Sequence, residues 1–255
     1  MLKNILVSMV MLTSTMLHAA NNPQELEPDS FLGFKDLSPW LKLPTSRHAL
    51  DYGSRNGQST FFLFNYGFNV QGVDPDFDLV KSAQTKYPSL SFQYIEKNNL
   101  PFVDDYFDLI FSNFVLSEQK SKKEMTEYLM EAERVLTPEG ILIALTYRSN
   151  IYKKNKNWGE FQVESSNYQH GDAIHLKIHN RQVISYYWQE QDYLEAINNA
   201  KLNVCSVHYP KGSVRDGFHW RDERNESPIA ALLIARQCTA VNKSAQQLAY
   251  ANLQR

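Results

Sequence analysis

One stretch constrains this chain more than any other: residues 48–76, HALDYGSRNGQSTFFLFNYGFNVQGVDPD. The apolar pair Ala49-Leu50 runs into Asp51-Tyr52-Gly53, which reads as a buried strand stopping at a glycine. Gly57 follows. Residues 59–66 then offer Phe61, Phe62, Leu63 and Phe64 as a broad apolar face, as expected of a helix packed on a sheet. Gly67 is suited to stop that helix, and residues 69–73 form a second strand ending in Asp74. The result is a β-α-β unit with an acid at the tip of each strand and a glycine turn between them. Such a turn lets backbone N–H groups and a helix N-terminus approach a ligand closely. An acid at the tip of the second strand accepts hydrogen bonds from both ribose hydroxyls of a nucleoside.

The spacing Asp51-x-Gly53-x-x-x-Gly57 is not the Gly-x-Gly-x-x-Gly of dinucleotide binders, which disfavours a nicotinamide oxidoreductase. It resembles the first motif of the class I S-adenosylmethionine-dependent methyltransferases, acid-x-Gly-x-Gly-x-Gly. Arg55 replaces the middle glycine, and an arginine at positive φ carries a steric cost. Residues 77–87 read as a helix ended by Pro88, and residues 91–95 as a third strand. Glu96, Leu100-Pro101-Phe102, Asp104 and Phe107-Asp108 then match the family pattern acid-x-x-x-Leu-Pro-Phe-x-Asp-x-x-Phe-Asp. Residues 108–112 are nearly all apolar, as when both sheet faces are covered, and Asn113 ends this strand at the carboxyl edge. A helix over 121–136 leads through Arg134-Val135-Leu136-Thr137-Pro138-Glu139-Gly140 into a strand over 141–147. That matches the family's Arg-Val-Leu-x-Pro-Gly-Gly, with Glu139 for one glycine.

The resemblance covers residues 40–148. It implies a doubly wound, Rossmann-like α/β domain with a seven-stranded, mostly parallel sheet, an antiparallel last strand and an inserted β-hairpin lid. The implied cofactor is S-adenosyl-L-methionine. Residues implied to bind it are Asp51, Gly53, Ser54 and Gly57 in the first motif, Asp74 and Pro75 after the second strand, Glu96 and Lys97 near the adenine, and Asn113.

The rest of the chain is expected to choose the acceptor. Residues 150–171 form a long polar and aromatic connection, suited to a lid. Residues 173–179 alternate strictly, with Ile174, Leu176 and Ile178 on one face and His175, Lys177 and His179 on the other. Asn180-Arg181 can turn, and 182–188 returns as the second strand of a hairpin. The two histidines are not spaced like a metal site, and no metal is expected. A helix over 189–200, a strand over 202–209, a loop over 210–225 and a last strand over 228–236 complete the domain. Tyr187-Trp188 and Trp220-Arg221-Asp222-Glu223 resemble the tail of the type 11 small-molecule methyltransferases. By that resemblance Tyr187, Trp188 and Trp220 wall an acceptor pocket; packing alone is the alternative. The reaction so implied is in-line methyl transfer to a small molecule, and a protein that binds the cofactor without turnover is the rival. In-line displacement needs no evident base. For a hydroxyl nucleophile, His175, His219 and Glu223 are candidates.

Residues 1–20 carry Lys3, an apolar run and His18-Ala19-Ala20, which reads as a secretory signal peptide cut after Ala20. Export follows from that reading; a later start and a cytoplasmic protein are the alternative. The run is too short for a comfortable membrane span, which needs about 20 residues. Residues 21–29 read as a linker, 30–240 as the domain, with an amphipathic segment around Trp40, and 241–255 as a polar tail. A net charge of −2 and a pI near 6.4 do not suggest a nucleic-acid surface. Oligomeric state is left open. Cys205 and Cys238 are the sole cysteines. They read first as two independent buried thiols. The alternative is a disulfide, since antiparallel neighbouring strands in this fold would bring them together in an oxidising compartment.

Overall fold

A computed structural model describes residues 47–149, 167–178, 181–209 and 229–238. The expected signal peptide, the linker, the segment around Trp40, the start of the lid, the 210–225 loop and the polar tail lie outside the described residues. The first half alternates strand and helix: β1 (His48–Tyr52), α1 (Gln58–Asn65), β2 (Asn69–Asp74), α2 (Phe77–Lys86), β3 (Ser91–Tyr94) and β4 (Phe107–Asn113). A short 3-10 turn, Val115–Glu118, follows, then α3 (Lys122–Val135) and β5 (Leu136–Tyr147). A separate hairpin pairs β6 (Ala173–Ile178) with β7 (Arg181–Tyr186). The chain continues through α4 (Glu190–Asn199), β8 (Asn203–His208) and β9 (Ile229–Ala235).

These strands make one seven-stranded sheet in the order β3-β2-β1-β4-β5-β9-β8, with the hairpin outside it. The first five are parallel, and β9 runs antiparallel between β5 and β8. The fold expected from the sequence is therefore present, including the antiparallel last strand and the inserted hairpin.

Local chemistry explains the element boundaries. The Ser121 hydroxyl accepts the Glu124 N–H at 3.1 Å and starts α3. Asp76 caps α2 through the N–H groups of Asp78 and Leu79. One boundary differs from the sequence reading. β5 begins at Leu136, directly off the end of α3. Leu136 faces Phe107 and Ile141 faces Leu109, so residues 137–140 bulge from the ladder. Glu139 is exposed on that bulge, which explains why a side chain is tolerated where the family pattern has glycine.

The sheet is covered on both faces, so its central strands are apolar throughout. Along β4, Ile110 packs with Met125, Tyr128 and Leu129 of α3, while Leu109 and Phe111 pack with Phe62 and Leu63 of α1. Every side chain of β9 is buried. Cys205 is the residue bulged between Val204 and Ser206, where the β8 register slips against β9. It is joined to Cys238 in a disulfide with the Cα atoms 5.4 Å apart. This corrects the reading of two independent thiols: the antiparallel pairing sets the start of β8 beside the end of β9.

Candidate functional site

Parallel strands put their carboxyl ends at one edge of the sheet, where ligands bind in such folds. At this edge β1 ends in a tight turn. Gly53 has φ 98, Arg55 φ 47 and Gly57 φ 85. The N–H groups of Gly53 and Ser54 both donate to the Val73 carbonyl at 2.9 Å, tying the turn to β2. A Cβ on Gly53 would lie 2.4 Å from Val115 Cγ2, and one on Gly57 2.6 Å from Phe92 Cζ. Left-handed backbone and close packing together leave room for glycine alone at these two positions.

Two acids flank the turn. Asp51 is fully buried, and its Oδ2 accepts the Ser59 and Thr60 hydroxyls at 2.6 Å each. Its Oδ1 has no protein partner among the described residues. Burial pushes its carboxyl up to about 6, although the two hydroxyls pull the other way. Asp74, 5% exposed, accepts the Arg55 N–H on Oδ2 and the Asp76 N–H on Oδ1, each at 2.8 Å. Burial raises it as well, opposed by those N–H groups and the Arg55 charge. A carboxylate oxygen has two lone pairs, so each oxygen of Asp74 keeps capacity for one hydroxyl. The Ser54 hydroxyl and the Asn113 Oδ1 are also buried without a partner among the described residues. Pro75 follows Asp74 and is exposed.

The loop after β3 is built from both of the later sequence motifs. Arg134, near the end of α3, donates to the carbonyls of Leu100 and Phe102 at 2.9 and 2.8 Å and to Asp104 at 2.8 Å. Glu131 pairs with Arg134 and accepts the Leu100 N–H at 3.1 Å. These carboxylates drive the guanidinium's proton affinity further up. Glu96 sits exposed at the start of this loop. Lys97 turns onto α3 and pairs with Glu124 at 2.6 Å.

The 3-10 turn after β4 joins this corner to the hairpin. Val115 lies over Gly53, and Glu118 pairs with the Arg55 guanidinium. The Ser117 carbonyl accepts the Ser185 hydroxyl of β7 at 3.1 Å. Trp188 is 3% exposed, and its indole N–H donates to the Gln119 carbonyl at 3.1 Å, so the structure puts it in the core. Tyr187 is half-buried against Tyr168 and His170. His175 is exposed on β6, on the hairpin's outer face as its alternation requires. Trp220, His219 and Glu223 lie outside the described residues.

The sequence did not single out Val115, Glu118 or the pair formed by His170 and Asp192. His170 Nδ1 lies 2.9 Å from the buried Asp192 carboxylate, which also faces Lys122 at 3.3 Å. Asp192 occupies the third position of α4 and accepts the Gln189 N–H at 2.8 Å. Gln189-x-x-Asp192 is not the Ser/Thr-x-x-Glu/Gln signature of a capping box, so neither Asp192 nor the histidine that joins it stood out in the sequence.

The residues fit an S-adenosylmethionine. Its ribose hydroxyls and ammonium group are donors, and the strand tips offer buried acceptors in want of donors: Asp51 Oδ1, Ser54 Oγ, Asn113 Oδ1 and the free lone pairs of Asp74. Among the described residues no helix is long and apolar enough to cross a membrane.

Comparison with known proteins agrees. A family model described as a methyltransferase domain matches residues 50–144. The protein 235L of Invertebrate iridescent virus 6, which carries a methyltransferase name, is 23% identical over 202 residues, covering 70% of this chain and 76% of its own. In fold, the chain resembles the PH0226 protein of Pyrococcus horikoshii OT3. The TM-score is 0.61 and the identity 18%, over 85% of this chain and 93% of that one. It also resembles an S-adenosylmethionine dependent methyltransferase of Mesorhizobium loti. There the TM-score is 0.58 and the identity 16%, over 80% of this chain and 97% of that one. Residues 50–144 thus carry a methyltransferase domain, and with its glycine turn, its acid-tipped strands and its sheet order the chain is similar to the class I S-adenosylmethionine-dependent methyltransferases.

Proposed function

We propose that this enzyme transfers the methyl group to a nucleophilic atom of a small molecule by in-line displacement. The observation that carries the reading is the hairpin. Through Ser185 it is fastened to the 3-10 turn beside the glycine corner, at the carboxyl edge of β4. A cover of this kind suits an enclosed acceptor of modest size. The cofactor, when bound, supplies an electrophilic sulfonium methyl. The chain's part is to hold donor and acceptor aligned, and alignment alone is worth about 7–11 kcal/mol in well-oriented cases. Asp74, Asp51 and the turn would hold the cofactor. For a hydroxyl acceptor, His170 is the described histidine whose ring a buried carboxylate orients.

Incubation with methyl-deuterated S-adenosylmethionine and a panel of phenols, amines and carboxylic acids tests this. Mass spectrometry should find a labelled product and S-adenosylhomocysteine. Binding of S-adenosylhomocysteine by calorimetry, with no acceptor methylated in the panel or in a cell extract, would favour the binding-only reading instead.

We also propose that the chain works in an oxidising compartment. The signal-like residues 1–20 and the Cys205–Cys238 disulfide support this. Thiol titration of unfolded, unreduced protein recovered from its native host is the check, and two free thiols would end the idea.

A further inference from the structure

Arg55 stands where the family motif has its middle glycine, and its backbone takes the left-handed conformation that glycine adopts without cost. Its N–H donates to Asp74 Oδ2 at 2.8 Å, and its guanidinium reaches across to Glu118. The charged groups that face this corner come from four places. β1 supplies Asp51. The end of β2 supplies Asp74, and Asp76 follows it. The turn after β4 supplies Glu118, and Arg55 is the cation that acts on both Asp74 and Glu118.

We propose that Arg55 is a positioning residue for the cofactor: its charge keeps Asp74 and Glu118 ionised side by side, so that Asp74 can accept from both ribose hydroxyls. The proposal rests on the S-adenosylmethionine reading of the corner. Burial raises both carboxyls, and the Asp74 charge raises Glu118 further. Neighbouring carboxylates in such surroundings share a proton unless a cation intervenes. A protonated Asp74 has less acceptor capacity for a ribose. The bland alternative is that Arg55 is merely tolerated and its half-exposed ion pair is worth nothing measurable.

The test is Arg55→Gly, which restores the motif's glycine and relieves the backbone. The dissociation constant of S-adenosylhomocysteine is measured by calorimetry from pH 5.5 to 8.5. A tolerated arginine predicts unchanged or tighter binding at every pH. The proposal predicts binding weaker by about tenfold near the acidic end, the effect of one pKa unit. The sign follows from the raised carboxyls: affinity is lost as pH falls through their titration, and Arg55→Gly moves that loss to higher pH. Arg55→Lys should keep the wild-type profile, and adding Glu118→Gln to Arg55→Gly should move the loss back down. Parallel profiles for wild type and Arg55→Gly overturn the proposal, as does a pH-independent loss that lysine does not repair. Wild-type protein that binds no S-adenosylhomocysteine at any pH overturns the cofactor reading and the proposal with it.

Discussion

The indole N–H of Trp188 donates to the main-chain carbonyl of Gln119 at 3.1 Å, joining the segment after the hairpin to the turn that follows β4. Both ends of that bond are buried. Trp188→Phe should therefore cost about 1–3 kcal/mol, the penalty of a buried carbonyl left without its donor. Trp188→Ala should cost about 3–5 kcal/mol, as large core truncations do. Urea denaturation reads both. A folded Trp188→Phe protein that loses acceptor turnover at unchanged stability would return this residue to the acceptor pocket.

Asp74 presents one free lone pair on each oxygen after its bonds to Arg55 and Asp76. Asp74→Ala should weaken S-adenosylhomocysteine binding by about 1.5–3 kcal/mol, the range for charge-assisted hydrogen bonds. An unchanged dissociation constant in a folded protein would remove Asp74 from the site.

Asp51 makes a pH prediction. Its folded carboxyl is pushed up to about 6 by burial, above the ordinary value of 3.8. The folded state then holds a proton that the unfolded state has released. The stability contribution is full below pH 4, falls as pH rises through 4–6, and is flat above. The total is about 3 kcal/mol at 1.36 kcal/mol per unit. Asp51→Asn should flatten this slope and stabilise the ligand-free protein near pH 7, while weakening cofactor binding. Thermal melts across that pH range check the first effect and calorimetry the second. A slope retained in the variant would assign it to other groups.

The Cys205–Cys238 disulfide closes a loop with a sequence separation of 33 and ties the edge strand β8 to β9. The chain-entropy model gives about 3–4 kcal/mol for a loop of this size. Replacing both cysteines with alanine, or reducing the bond, should lower the denaturation midpoint accordingly. Equal midpoints for oxidised and reduced protein would show that the bond constrains little.

Much of the site was legible because its signals are local. The glycines of the turn and the acids at the strand tips act within a few residues of themselves, and each was visible as a residue type at a spacing. Arg134 was legible as part of a motif but not as the clamp on Leu100 and Phe102, because those carbonyls lie more than thirty positions away. Glu118 had no signature at all. A glutamate in a polar stretch gains its role only when the turn after β4 comes to rest beside Arg55.

By itself, then, the sequence determined the elements, their order and the topology that puts Asp51, Asp74 and Asn113 at one edge. Hydrophobic period, glycine and proline settle those matters, and they act along the chain. The tertiary structure decided which polar groups share protons and hydrogen bonds. It bulged Cys205 from the β8 register, setting it against Cys238. It turned Trp188 inward and set Glu118 against Arg55. Such pairings depend on strand register and on the angles at which segments dock to a few ångströms. Those coordinates exist only once the whole sheet has assembled.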